Sequence, residues 1–130
     1  MKLNRIICGA LLALMVTAAE AEDVDVSDYS ANYVLPGCKA LLHERTGGFA
    51  SGRCVGLVEG VAMLITMSKA FRPVFLREFP NFCADIPEHG VTTEQMIRVV
   101  VAYIEARPQR MHEVFYFLAI EALRDAWPCR

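Results

Sequence analysis

Apolar positions recur at intervals of three and four residues through most of the chain, and strict alternation is confined to Val24–Val26. That periodicity predicts helices and almost no strand. The first helical segment is Ser30–Glu44, with Ser30 placed to act as N-cap. Pro36 predicts a short turn ahead of it and a helix that starts at the proline. Thr46-Gly47-Gly48 closes the segment. The second helix is predicted over Ser51–Phe71 and is apolar almost all round, through Val55, Leu57, Val58, Val61, Leu64, Ile65 and Met67. Such a helix is expected at the buried centre of a small bundle. Gly56 and Gly60 share one face of it, at about 1 kcal/mol each relative to Ala. The expected return is close approach of a neighbouring backbone. A membrane dimerisation motif is the poorer reading, because Glu59 interrupts it.

A long connection, Phe71–Glu88, mixes phenylalanines, arginines and prolines. Connections of this length are often functional, and packing of the phenylalanines into the core is the alternative. The third helix has a clear start: Thr92 as N-cap with Gln95 three residues on, and Val91 and Met96 at the positions of a hydrophobic staple. It ends before Pro108. The fourth helix is predicted from Pro108 to about Ala126, with Met111, Phe115, Leu118, Ala122 and Leu123 as its core stripe. The fold class expected is all-α: a small disulfide-bonded bundle of about four main helices.

The N-terminus changes how composition is read. Lys2 and Arg5 precede an apolar run Ile6–Ala19 that ends in Ala19-Glu20-Ala21. This is the pattern of a secretory signal peptide, too short to cross a bilayer as a helix. Residues 1–21 are therefore expected to be removed, with export to a bacterial periplasm and no membrane attachment afterwards. Residues 22–29 form an acidic strip expected to be mobile, and residues 30–130 form the helical domain. The whole chain has 130 residues, 55% hydrophobic, net charge -2 and five cysteines. That length fits one domain, and the charge argues against a nucleic-acid binder. Loss of Cys8 with the leader leaves Cys38, Cys54, Cys83 and Cys129, an even set suited to an oxidising compartment. Cys38 and Cys54 face each other across an antiparallel hairpin, while Cys83 precedes the third helix and Cys129 follows the fourth. The expected bridges are Cys38–Cys54 and Cys83–Cys129.

Catalytic templates fail one by one. Bridged cysteines offer no thiolate, and the chain has no G-x-S-x-G, Walker A or H-E-x-x-H motif. His43, His89 and His112 lack metal-ligand spacing, and His112 is read as a surface residue in the first turn of the fourth helix. Glu59 is the one acid within an apolar helix; it is expected at a groove edge, or paired with Arg53 or with a residue of another helix. No catalytic residue, metal or cofactor is expected, and the reading is a binder rather than an enzyme.

An ordered set of residues carries a family resemblance. Tyr33-Val34-Leu35-Pro36-Gly37-Cys38-Lys39 and Gly52-Arg53-Cys54-Val55-Gly56 with Gly60 form its front half. Phe82-Cys83, Ile86-Pro87, Gly90-Val91-Thr92, Gln95, Val99–Tyr103, Pro108 and His112 continue it, and Ala126-Trp127-Pro128-Cys129 closes it. Over residues 30–129 the chain resembles the Rap/Tai-type immunity proteins. The resemblance implies a periplasmic helical homodimer that is not an enzyme. It implies neutralisation of a cell-wall amidase toxin of a type VI secretion system, by blocking the peptidoglycan-cleaving groove. The partner expected is a secreted peptidoglycan amidase. The candidate contact patch is Arg72, Phe75, Arg77 and Phe79, an arginine–aromatic mixture of the kind interface hot spots favour. The alternative is a periplasmic helical chaperone or stress protein, or a family look-alike without a cognate toxin.

Overall fold

The structure, a computed structural model, describes residues 26–44, 47–71, 77 and 82–129. Four α-helices account for most of these described residues: α1 (Ala31–Glu44), α2 (Phe49–Ala70), α3 (Thr93–Glu105) and α4 (Phe115–Ala126). The expected all-α, disulfide-bonded bundle is what forms. The leader and the acids up to Asp25 lie outside the described residues, while Val26–Tyr29 form a 3-10 turn ahead of α1.

Helix α1 runs through Pro36 unbroken, so the turn expected before that proline is absent. The helix is started from outside instead. Ala31 N–H donates to the Glu113 carbonyl at 2.9 Å and Asn32 N–H to the Met111 carbonyl at 2.8 Å. With the first turn already fixed, Pro36 removes only the bond to the carbonyl of Asn32, an exposed residue that water can reach. One residue further, Gly37 lets α1 and α2 meet. A Cβ there would run into the carbonyl of Ala50, so glycine sets the approach of the two helices. The Cys38–Cys54 bridge lies beside this contact, with Cα atoms 5.3 Å apart and both residues fully buried.

Helix α2 departs from the expectation of a buried centre. It buries one stripe, Ser51, Cys54, Val58, Val61, Ile65 and Ser68, and leaves its opposite face in solvent. Apolar residues occur on every side of this helix, so hydropathy alone could not orient it. Gly56 and Gly60 fall on the outer face, where a Cβ would meet nothing within 4 Å. The close backbone approach expected there is made by Gly37. The one buried polar tip near the end of α2 is satisfied, because Ser68 Oγ donates to the Ile65 carbonyl at 2.6 Å.

Helix α3 starts as expected: the Thr92 hydroxyl accepts from Gln95 N–H at 3.1 Å, and Met96 is buried with Val91 packed on the core. Its inner face, Ile97, Val100 and Ile104, meets Phe115, Leu118 and Leu123 of α4 in one hydrophobic cluster with Val34, Val58 and Ile65. Helix α4 begins at Phe115, not at Pro108, and Pro108–Arg110 form a separate 3-10 turn. The cause is long-range. The Met111 and Glu113 carbonyls accept from α1, and Ser30 and Val114 form an antiparallel bridge, so this stretch is held open. His112 thus sits exposed in that open stretch, not in a helical turn. The second disulfide, Cys83–Cys129, joins the approach to α3 with the tail of α4, Cα atoms 5.7 Å apart. Asp85 N–H donating to the Trp127 carbonyl at 2.8 Å runs alongside it.

Candidate interaction surfaces

Two surfaces stand out, and neither is an enclosed pocket. The first is the outer face of α2. Positions 56, 60, 63, 64, 67 and 71 fall within one side of the helix by their three- and four-residue spacing. Met63, Met67 and Phe71 are 66%, 56% and 64% exposed. Where α2 passes α4, the two bare glycines leave a shallow groove of about 250 Å³ whose walls are Leu64, Phe82, Tyr116 and Ile120. Tyr116 continues into Phe117, the two rings 4.5 Å apart, and both are exposed. A contiguous apolar surface of this kind marks an interaction site more often than bare solvent contact.

The second surface is the head of α2. Arg53 lies with its guanidinium carbon 4.9 Å from the ring centres of Tyr33 and Phe49 and 5.7 Å from that of Tyr29. Its Nη1 donates to the Asp28 carbonyl at 3.0 Å, which ties the 3-10 turn to α2. Glu59 is not its partner. That carboxylate is exposed and accepts from the Thr93 hydroxyl at 2.8 Å, at the edge of an open groove between α2 and α3 floored by Leu41, Val55 and Ile97.

Between α3 and α4 a half-buried network braces the turn that starts α1. Arg110 makes two contacts with the Glu113 carboxylate and reaches the Glu121 carboxylate on α4, and Tyr103 donates to Glu121 at 2.7 Å. Arg110 foremost, with Tyr103, holds Glu121 down to about 2 against the burial that opposes it. Arg110 likewise holds Glu113 low. Burial first, then the Glu121 carboxylate, pushes the Tyr103 hydroxyl up. One guanidinium is shared between two carboxylates, and the geometry of the group serves the fold.

Of the contact patch expected from the sequence, Arg77 is exposed and helical in backbone; Arg72, Phe75 and Phe79 lie outside the described residues. The sequence reading missed Tyr33, Phe49, Met63, Met67, Tyr116 and Phe117. The i, i+4 spacing of Phe49 and Arg53 was its only local signal. His43, His89 and His112 are all exposed, and among the described residues no group of His, Cys, Asp or Glu could hold a metal ion.

Fold and surfaces together define a small disulfide-bonded helical protein with an exposed apolar face. The chain belongs to the Rap1a immunity protein family, whose sequence profile matches residues 30–129. Membership implies binding of a cognate toxin effector and suggests a role without catalysis. Comparison with curated proteins and with solved structures gives no match.

Proposed function

We propose that this protein is an exported immunity protein that blocks a cell-wall amidase effector by binding it, and that it does so as a homodimer in the periplasm. Residues 1–21 are the leader removed on export, residues 22–29 an acidic lead-in, and residues 30–130 the working domain. The bridges Cys38–Cys54 and Cys83–Cys129 suit an oxidising compartment. Arg72, Phe75, Arg77 and Phe79 are the residues that reach the effector.

The observation that carries this reading is the outer face of α2. It is apolar along its C-terminal two-thirds, lies open to solvent and flanks the Phe82 end of the Phe71–Glu88 connection. A second copy seated on the Gly56–Gly60 groove buries Met63, Leu64, Met67 and Tyr116. The glycines let two helices approach more closely than any larger residue allows.

The test uses the chain without residues 1–21, with a type VI amidase effector encoded beside it. Stoichiometric suppression of peptidoglycan hydrolysis, and a dimer in sedimentation equilibrium, are the expected results. Full hydrolysis in the presence of excess protein rejects the immunity assignment. A concentration-independent monomer rejects the dimer alone.

A further inference from the structure

The Arg53 cluster begins one turn before Gly56, on the same side of α2 as the glycine groove, and is not part of the candidate contact patch. Among the described residues the other helix-borne arginines with an ion pair are Arg98 with Glu94 and Arg124 with Asp125, and Arg110 serves Glu113 and Glu121. Arg107 stacks on Tyr103, 3.7 Å from its ring centre, and donates to that residue's carbonyl. Arg53 resembles Arg107 in having no carboxylate among its described contacts, but it gathers three rings where Arg107 has one. Its described contacts are three aromatic rings and one backbone carbonyl.

Rings flanking a guanidinium take up its flat faces but not its in-plane N–H groups, which point along the plane of the fork. One of those donors is used by Asp28. The remaining edge is a fork that matches a carboxylate. Around it the surface is unusually apolar for a charged site: Phe49 is 79% exposed and Tyr33 53% exposed. Large exposed rings around a single arginine are the composition that concentrates binding energy at protein interfaces. The rings also remove water from one side of any ion pair formed there, which strengthens it over one on an open surface.

We propose that Tyr33, Phe49 and Arg53 form a docking site for an acidic segment of a partner protein, with a carboxylate on the Arg53 fork and the chain around it against the two rings. The inference rests on the reading of this protein as one that binds another protein, and it adds a charged contact at the head of α2, within one turn of the Gly56 end of the glycine groove. A partner carboxylate takes the Arg53 fork in competition with the chain's own acids, Asp28 beside it and Glu22, Asp23 and Asp25 ahead of it in sequence.

The experiment titrates the chain without residues 1–21 with an N-acetylated, C-amidated peptide of alternating Ala and Glu, and with its Ala/Gln counterpart, following the Arg53 side-chain N–H and the Phe49 amide by NMR. The Glu peptide is expected to shift both signals saturably, more weakly at high salt, and the Gln peptide to leave them unmoved. Arg53→Gln and, separately, Phe49→Ala are each expected to weaken the Glu peptide by about ten-fold with helical content unchanged, as for loss of a charge-assisted contact. Equal response to the two peptides overturns the proposal, as does binding indifferent to both substitutions. So does binding that appears only when residues 22–25 are also removed, because the site is then filled by the chain's own Glu22, Asp23 and Asp25. No effector enters this measurement, so its failure leaves the immunity reading standing and failure of inhibition leaves the docking site standing.

Discussion

Tyr103 on α3 donates its hydroxyl to Glu121 on α4 at 2.7 Å, while Arg110 reaches the same carboxylate from the turn between the two helices. One acid thereby fixes the α3–α4 hairpin and the loop that starts α1. Glu121 is held down to about 2 in the folded chain, below the ordinary glutamate range of the unfolded one. A lowered folded value stabilises above the unfolded pKa and is lost as pH falls through the folded one. Stability is therefore expected to drop between about pH 5 and pH 2. Glu121→Gln should cost about 1–2 kcal/mol at pH 7, and its deficit should shrink across that acid window. Urea denaturation at pH 7, 4 and 2.5 checks this; a constant deficit at all three refutes it.

Glycines divide into two kinds here, and substitution separates them. Gly37→Ala puts a methyl group into the Ala50 carbonyl, backbone that cannot rotate away. The α1–α2 contact must open, and a loss of about 3 kcal/mol is expected. Gly56→Ala meets nothing within 4 Å and gains helix propensity, so the isolated subunit should become up to about 1 kcal/mol more stable. Thermal melts of both variants at low protein concentration give the two signs.

How far the sequence revealed this division depended on the range of the interactions. The Thr92 cap and the end of α3 were legible because both are decided within one helical turn. Orientation of α2 was not, since Val55, Leu57, Leu64 and Met67 make it apolar on all sides and only the partners of Cys54, Val58 and Ile65 choose the buried face. The start of α4 was equally hidden. Pro108 is a good local start, but the bond from Ala31 N–H to the Glu113 carbonyl crosses more than half the chain. The arginine–aromatic cluster combines Arg53 and Phe49 of one helix with Tyr33 of another, so spacing showed only part of it.

The two disulfides should differ in what they contribute. Cys83–Cys129 closes 46 residues and Cys38–Cys54 closes 16. In the chain-entropy account the longer loop contributes about 4 kcal/mol and the shorter about 3 kcal/mol. Cys38 and Cys54 are fully buried, however, and replacing both by Ala also removes their sulfur contacts from the core. The paired Ala variant at 38 and 54 is thus expected to lose at least as much stability as the pair at 83 and 129, despite its shorter loop. Equilibrium denaturation of the two double variants decides between loop length and core packing; a much milder 38/54 variant favours loop length alone.

Helix α2 offers the sharpest check on the proposed dimer. Its inner stripe holds the fold and its outer side does not, so a charge placed outside should spare one and break the other. Met67→Glu sits on the 56% exposed side, one turn beyond Met63, with no described core contact to lose. In the monomer the substitution is expected to change stability by less than about 0.5 kcal/mol. In a dimer closed over the Gly56–Gly60 groove it buries a carboxylate against Tyr116 and its neighbours, which costs several kcal/mol unless a partner charge is found. Sedimentation equilibrium should therefore show dissociation raised by at least about 100-fold, with the circular dichroism spectrum and melting point of the subunit unchanged. Gly60→Leu should act in the same direction by filling the notch. If both variants remain dimeric, the subunits pair through another surface, and the apolar side of α2 is left for the effector.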